Sequence, residues 1–154
     1  MLREIVLYDV TAPDLGPVSG LPLESVQPAV NGPVHLEALS AHPTLRALKL
    51  ASTSLVDLGP LLTVPHLHGL DLSEAQAPDL SVLADLSQLR YLAWRPDQWT
   101  SLGHHALPAS LAGACLAGEP SLTAALAWAS TLGIDTTGVW RHSGWLEPAP
   151  EAPR

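Results

Sequence analysis

The feature that most constrains this chain is a leucine pattern that returns every 22 residues. Leu45, Leu67 and Leu89 are spaced by that interval, as are Leu48, Leu70 and Leu92. Leu50 and Leu72 are followed at the same distance by Trp94. Later in each unit Leu58, Leu80 and Leu102 align, then Leu61 with Leu83. Counting back from Leu45 reaches Leu23 and Val26, with Leu36 and Leu39 in the places of Leu58 and Leu61. One more unit requires a 21-residue step, after which Leu2, Ile5 and Leu7 match Leu45, Leu48 and Leu50, and Asp14-Leu15-Gly16-Pro17 matches Asp57-Leu58-Gly59-Pro60. Five units therefore run over 2–22, 23–44, 45–66, 67–88 and 89–110, with a degenerate sixth beginning at Leu111.

A unit this short cannot bury its own apolar side chains, whereas stacked copies share one continuous core. Each unit is expected to supply a short strand to a parallel sheet, with the leucines at strand offsets 0, 3 and 5 turned inward. A return segment then packs Leu58, Leu61 and Val64 or their equivalents. Pro17, Pro60 and Pro65 fall in those return segments, where a proline can open a helical turn and its missing N–H does little harm. Asp14, Asp57 and Asp79 recur once per unit, which assigns them to capping the return turn rather than to chemistry.

The segments Leu45-Arg46-Ala47-Leu48-Lys49-Leu50 and Leu67-His68-Gly69-Leu70-Asp71-Leu72 resemble the strand segment of leucine-rich repeats, specifically the 22-residue class of internalin-like proteins. The resemblance covers about 110 of the 154 residues. It implies an α/β fold: a short leucine-rich-repeat solenoid with a parallel sheet on the concave side. In that family an Asn side chain bonds the backbone of the neighbouring coil. Its position here is held by Val10, Asn31, Thr53, Ala75 and Asp97, and only Asn31 fits in full. The expected polar ladder is therefore weak, with Thr53 and Asp97 still able to bond to backbone groups.

Beyond residue 110 the period fades, and 119–133 reads as one helix. Leu122, Ala125, Leu126, Ala129 and Leu132 follow helical spacing, and Gly133 stands where a terminating glycine belongs. This helix is expected to cap the solenoid, anchored by Trp128, Trp140 and Trp145; an aromatic ligand platform at 140–145 is the alternative. The expected domains are thus a repeat region at 1–110, a degenerate repeat with helical cap at 111–146, and a disordered Pro- and Ala-rich tail at 147–154.

Composition restricts the function. Fifteen acidic against seven basic side chains leave a net charge of −8. That balance disfavours nucleic acid and anionic membranes, which require clustered Lys and Arg. No segment approaches the roughly 18 apolar residues of a membrane span, and the first residues lack the apolar stretch of a secretion signal, so a cytoplasmic location is expected. Cys115, the only cysteine, lies in the apolar run 111–116 and reads as a small buried thiol. Seven histidines invite a metal or catalytic reading, yet none pairs with a carboxylate at a diagnostic spacing. They are read as surface loop residues, with no metal and no cofactor. Phosphate-binding glycine loops, zinc-protease helices and nucleophile elbows are all missing from the sequence.

With the strand leucines inward, offsets 2, 4 and 6 form the concave strip. Tyr8, Lys49, Asp71, Tyr91 and Arg95 are the partner-binding candidates there, since Tyr and Arg are enriched in binding hot spots. The leading expectation is a non-enzymatic module that binds a protein or peptide on this face. An accessory or immunity-type protein that inhibits or positions a dedicated enzyme is a second reading, and a small enzyme using the histidines with Asp71 or Asp97 is a third. Oligomeric state is open, because the apolar strand at Leu2 to Leu7 can pair edge to edge.

Overall fold

The structure, a computed structural model, describes residues 2–11, 15–55, 57–76, 79–102 and 107–133. Contacts divide the chain into two compact units, Met1–Pro120 and Ser121–Arg154. The first holds the strands β1 (Glu4–Thr11), β2 (Ser25–Val34), β3 (Ala47–Lys49), β4 (Ala51–Leu55), β5 (Gly69–Asp71), β6 (Ala75–Gln76), β7 (Tyr91–Trp94) and β8 (Gly113–Leu116). Short helices α1 (Gly16–Ser19) and α2 (Pro96–Leu102) and three 3-10 turns, Glu37–Leu39, Gly59–Thr63 and Ser81–Asp85, connect them.

Every pairing is parallel, and its register is the sequence period. Ser25 faces Ala47, Ala47 faces Gly69, Gly69 faces Tyr91 and Tyr91 faces Gly113. Glu4 faces Ser25, the 21-residue step of the first unit. The register therefore continues into β8, one strand past the fifth unit. At the head of each strand one carbonyl serves two donors of the next coil. Arg46 and Ala47 N–H both donate to Glu24 O, His68 and Gly69 N–H to Arg46 O, Arg90 and Tyr91 N–H to His68 O, and Ala112 and Gly113 N–H to Arg90 O. Strand β2 is long enough to pair with β1 on one side and with both β3 and β4 on the other.

The inward offsets are as the period requires. Leu45, Leu48 and Leu50, Leu67, Leu70 and Leu72, and Leu89, Leu92 and Trp94 are all buried. In the first coil the set is incomplete: Leu2 is 62% exposed and Ile5 and Leu7 are half-buried, because β1 has a strand on one side only among the described residues. The return segments repeat too. Val18, Leu39, Leu61 and Leu83 each donate from N–H to the carbonyl three residues back, of Leu15, Leu36, Leu58 and Leu80, and all four donors' side chains are buried. Pro17 and Pro60 occupy the first turn of their helical segments, where a fixed φ helps and no donor is lost. Asp57 accepts from Gly59 N–H at 2.7 Å and Asp79 from Ser81 N–H at 2.9 Å, so both cap the turn that follows. Asp14 lies outside the described residues.

Two local outcomes depart from expectation. His42 is not a surface histidine: it is 2% exposed and occupies the coil position held by Val64 and Leu86 in the next two units. Its Nδ1 accepts from Leu45 N–H at 3.2 Å, while its Nε2 is buried without a protein partner. Gln98, one residue after the expected Asp97, makes an inter-coil polar bond of the fifth unit. Gln98 Nε2 donates to the carbonyls of Leu72 and Ala75 one coil earlier, and its Oε1 accepts from Arg95 N–H. Asp97 instead pairs with Arg95. The side chains of Val10, Asn31 and Thr53 lie outside the described residues. Further ties between coils come from Thr44 Oγ1 to Leu23 O at 2.8 Å and Ser110 Oγ to Leu89 O at 2.7 Å, two hydroxyls at equivalent places in the repeat.

In the second unit α3 spans Leu122–Thr131. Ser121 Oγ accepts from Ala124 N–H as its N-cap, and Gly133, with φ of 72°, follows its last turn. Ala129 is buried, whereas Leu122 is exposed. Trp140, Trp145 and the tail at 147–154 lie outside the described residues.

Leu70→Ala should cost about 2–5 kcal/mol in urea unfolding, because it empties a site enclosed by neighbours on both sides. Gln98→Leu removes three hydrogen bonds, to Leu72 O and Ala75 O and from Arg95 N–H, and should cost about 2–4 kcal/mol, whereas Asp97→Ala, which removes an exposed ion pair, should cost under about 1 kcal/mol. Equal losses for Gln98 and Asp97 variants would contradict the assignment of the inter-coil bond.

Candidate functional site

The outward residues of the strands form rows across the sheet. The row at offset 2 reads Glu4, Ser25, Ala47, Gly69, Tyr91 and Gly113; the row at offset 4 carries Lys49, Asp71, Ala93 and Cys115 in succession. Small side chains predominate, so the few large ones stand above a low floor.

Lys49 and Asp71 are direct cross-strand partners with Nζ to Oδ2 at 3.7 Å. Asp71 is held by its own turn, accepting from Ser73 N–H at 3.0 Å and Ser73 Oγ at 2.6 Å. Both residues are half-exposed, so their attraction is modest and serves to orient the carboxylate. Tyr91 sits on β7, diagonal to Asp71 and to Cys115, within reach of a long side chain. Its ring lies over the bare Cα of Gly113, where a Cβ would come within 3.3 Å of Cδ2. Partial burial, a hydrogen bond to the Cys115 thiol, and the charges of Cys115 and Asp71 push the phenol pKa up to about 12. The phenol is thus a neutral donor at physiological pH.

Arg95 follows β7 directly. Its guanidinium reaches Asp97 at 3.3 Å, and its backbone N–H is fixed by Gln98. Tyr8 projects from β1 and is 74% exposed. Its strand is separated from β3 by β2. The structure therefore brings Lys49, Asp71 and Tyr91 together, adds Arg95 at the strand exit, and leaves Tyr8 apart at the sheet edge.

Known proteins offer a fold likeness and nothing more specific. No protein-family model matches the sequence, and no curated protein matches it. Among solved structures, an internalin (InlF) from Listeria monocytogenes matches with a TM-score of 0.50 and 19% identity over 75% of this chain. The fold is internalin-like. The chain spans 41% of the length of that internalin. Leucine-rich-repeat architecture is thus common to the two, with an α/β make-up and a parallel sheet. Among the described residues no helix is long and apolar enough to cross a membrane, and no group of three or more His, Cys, Asp or Glu side chains converges.

Two features of this face escaped the sequence reading. Cys115 is half-exposed and belongs to the sheet face beside Tyr91, rather than being a buried thiol. Its distance of 22 residues from Ala93 was the available signal. The second is a row just before the strands, at offset 1, where Arg46, His68 and Arg90 follow one another on adjacent coils. His68 is held below its ordinary pKa of 6.5 by partial burial first, then by the guanidiniums of Arg90 and Arg46 and by His66. Arg46 and Arg90 are exposed.

The folded chain therefore binds the His68 proton less tightly than the unfolded chain does. This group's share of stability is intact above pH 6.5 and declines as pH falls through that value, where the unfolded state takes up protons first. An NMR titration should place the His68 midpoint below 6.5 and move it upward in Arg90→Gln. A midpoint indifferent to that substitution would remove Arg90 as a neighbour.

Proposed function

We propose that this chain is a non-enzymatic protein-interaction module that binds a protein or peptide on the outward face of its repeat sheet. In this reading the coils form a leucine-rich-repeat solenoid and that face is its concave side. The single observation that carries the reading is the cluster of Lys49, Asp71 and Tyr91 on three adjacent strands, with Arg95 at the exit of the last. These side chains offer a cation, an anion oriented by Ser73, a neutral phenol donor and a guanidinium. A rigid sheet presents them in fixed register, so little conformational entropy is lost when a partner docks. Aromatic and arginine anchors surrounded by small residues are the usual composition of a binding hot spot.

The residues around the cluster support recognition rather than turnover. Asp71 is committed to Lys49 and Ser73, and the Tyr91 phenol is pushed away from ionisation. No candidate nucleophile stands with a base and an orienting group on this face among the described residues. A cytoplasmic setting, in which Cys115 stays a thiol, belongs to the same reading.

The test is affinity capture from the source cells with three baits: wild type, Tyr91→Ala with Arg95→Ala, and Glu37→Ala in a return segment. A partner held by wild type and by Glu37→Ala should be weakened by about 2 kcal/mol or more, roughly thirtyfold, in the double variant. Capture that is equal with all three baits would move the binding surface off the sheet face.

A further inference from the structure

The cations of the repeat region are sorted by place. All five Lys and Arg residues among positions 1–120, Arg3, Arg46, Lys49, Arg90 and Arg95, lie in a strand or within one residue of one. The acids are spread more widely, with Glu37, Asp57, Asp79 and Asp85 in the return segments and Glu4, Glu24, Asp71 and Glu74 in a strand or within one residue of one. Three of the five cations have an acidic partner: Arg3 with Glu24 at 3.0 Å, Lys49 with Asp71 at 3.7 Å and Arg95 with Asp97 at 3.3 Å. Arg46 and Arg90 have no ion-pair partner among the described residues. They stand on either side of His68, bonded to it through the backbone ladder.

A chain with net charge −8 has acids to spare, so two unpartnered guanidiniums flanking an imidazole are not forced by composition. The arrangement carries a cost in the free protein. Each guanidinium lies one strand from His68 and two strands from the other, and the lowered pKa of His68 records their charge beside its partial burial. An anion laid across the row would relieve it. Resting on the reading of the sheet as a partner-binding face, we propose that the row Arg46–His68–Arg90 recognises a short acidic peptide segment of the partner, with carboxylates docking on the two guanidiniums and against His68.

The dimensions favour a short segment. The row is bounded by Glu24 on one side and by the neutral Ala112 on the other. Three strands spaced about 4.8 Å apart give a cationic stretch of about 10 Å, which an extended peptide covers with three or four residues at about 3.3 Å each. The planar guanidinium fork matches a carboxylate in bidentate fashion. Nucleic acid fits poorly, because its phosphates continue past the row onto the neutral Ala112 on one side and the Arg3–Glu24 ion pair on the other, neither of which offers a free cation.

The probe is a fluorescently labelled deca-glutamate peptide, titrated into wild type and into Arg46→Glu with Arg90→Glu, with a labelled single-stranded oligonucleotide as comparison. Wild type should bind the peptide, and the reversal should weaken it about fivefold or more, as expected for exposed ion pairs acting together. Binding should also fall as salt rises from roughly 0.05 to 0.2 M. Both residues are exposed, so the fold should survive; if circular dichroism shows otherwise, Arg46→Gln with Arg90→Gln carries the test. Peptide affinity unchanged by the substitutions, absence of peptide binding to wild type, or tighter binding of the oligonucleotide would each overturn the proposal. A cellular partner lost with Tyr91→Ala and Arg95→Ala but retained in full by the Arg46 and Arg90 reversal would overturn the acidic segment while leaving the sheet-face reading in place.

Discussion

One backbone constraint governs this molecule: a carbonyl at the head of each strand must meet two N–H groups of the next coil. Glu24, Arg46, His68 and Arg90 supply those carbonyls in succession. Parallel neighbours lie about 4.8 Å apart, so the chain must leave a strand, travel through its return segment and come back displaced by one strand width. The constant 22-residue register of β2, β3, β5, β7 and β8 follows from that closure. Everything else adjusts to it. Leucines fill the space the loop encloses, prolines start the return turn, and Asp57 and Asp79 hold the backbone as it bends.

Much of this was legible because a period in sequence becomes a neighbour relation in space. Leu48, Leu70 and Leu92 share one buried layer, and the 21-residue first step appears as Glu4 opposite Ser25. The helix over 122–131 was equally readable from its spacing and its glycine. What stayed hidden were exchanges within the repeat. His42 reads as polar, yet it fills an aliphatic position because its ring can accept the Leu45 N–H. Gln98 took over the inter-coil bond because α2 interrupts the usual strand exit and brings a longer amide to the carbonyls of the preceding coil. Consensus position alone pointed to Asp97, one residue too early.

The candidate site was legible in a similar way. Lys49, Asp71 and Tyr91 followed from strand alternation, and the structure gathers them on adjacent strands. Tyr8 was drawn into the same group by its residue type, although the width of the sheet keeps it apart. The Arg46, His68 and Arg90 row went unnoticed because offset 1 precedes the alternating part of the strand, where side-chain direction cannot be assigned from parity. The 22-residue period already made those three residues consecutive, and the backbone ladder shows them side by side.

The unequal length of the strands has a bearing on how this molecule breathes. β2 is one uninterrupted ribbon of ten residues, while the following coils are divided, as β3 and β4 and then β5 and β6. Detaching the first two coils from the third means severing both of its short strands from a single rigid edge. Amide exchange in such a fold is graded, slowest in strands flanked on both sides and faster in β1, β6 and β8 at the borders of the described sheet.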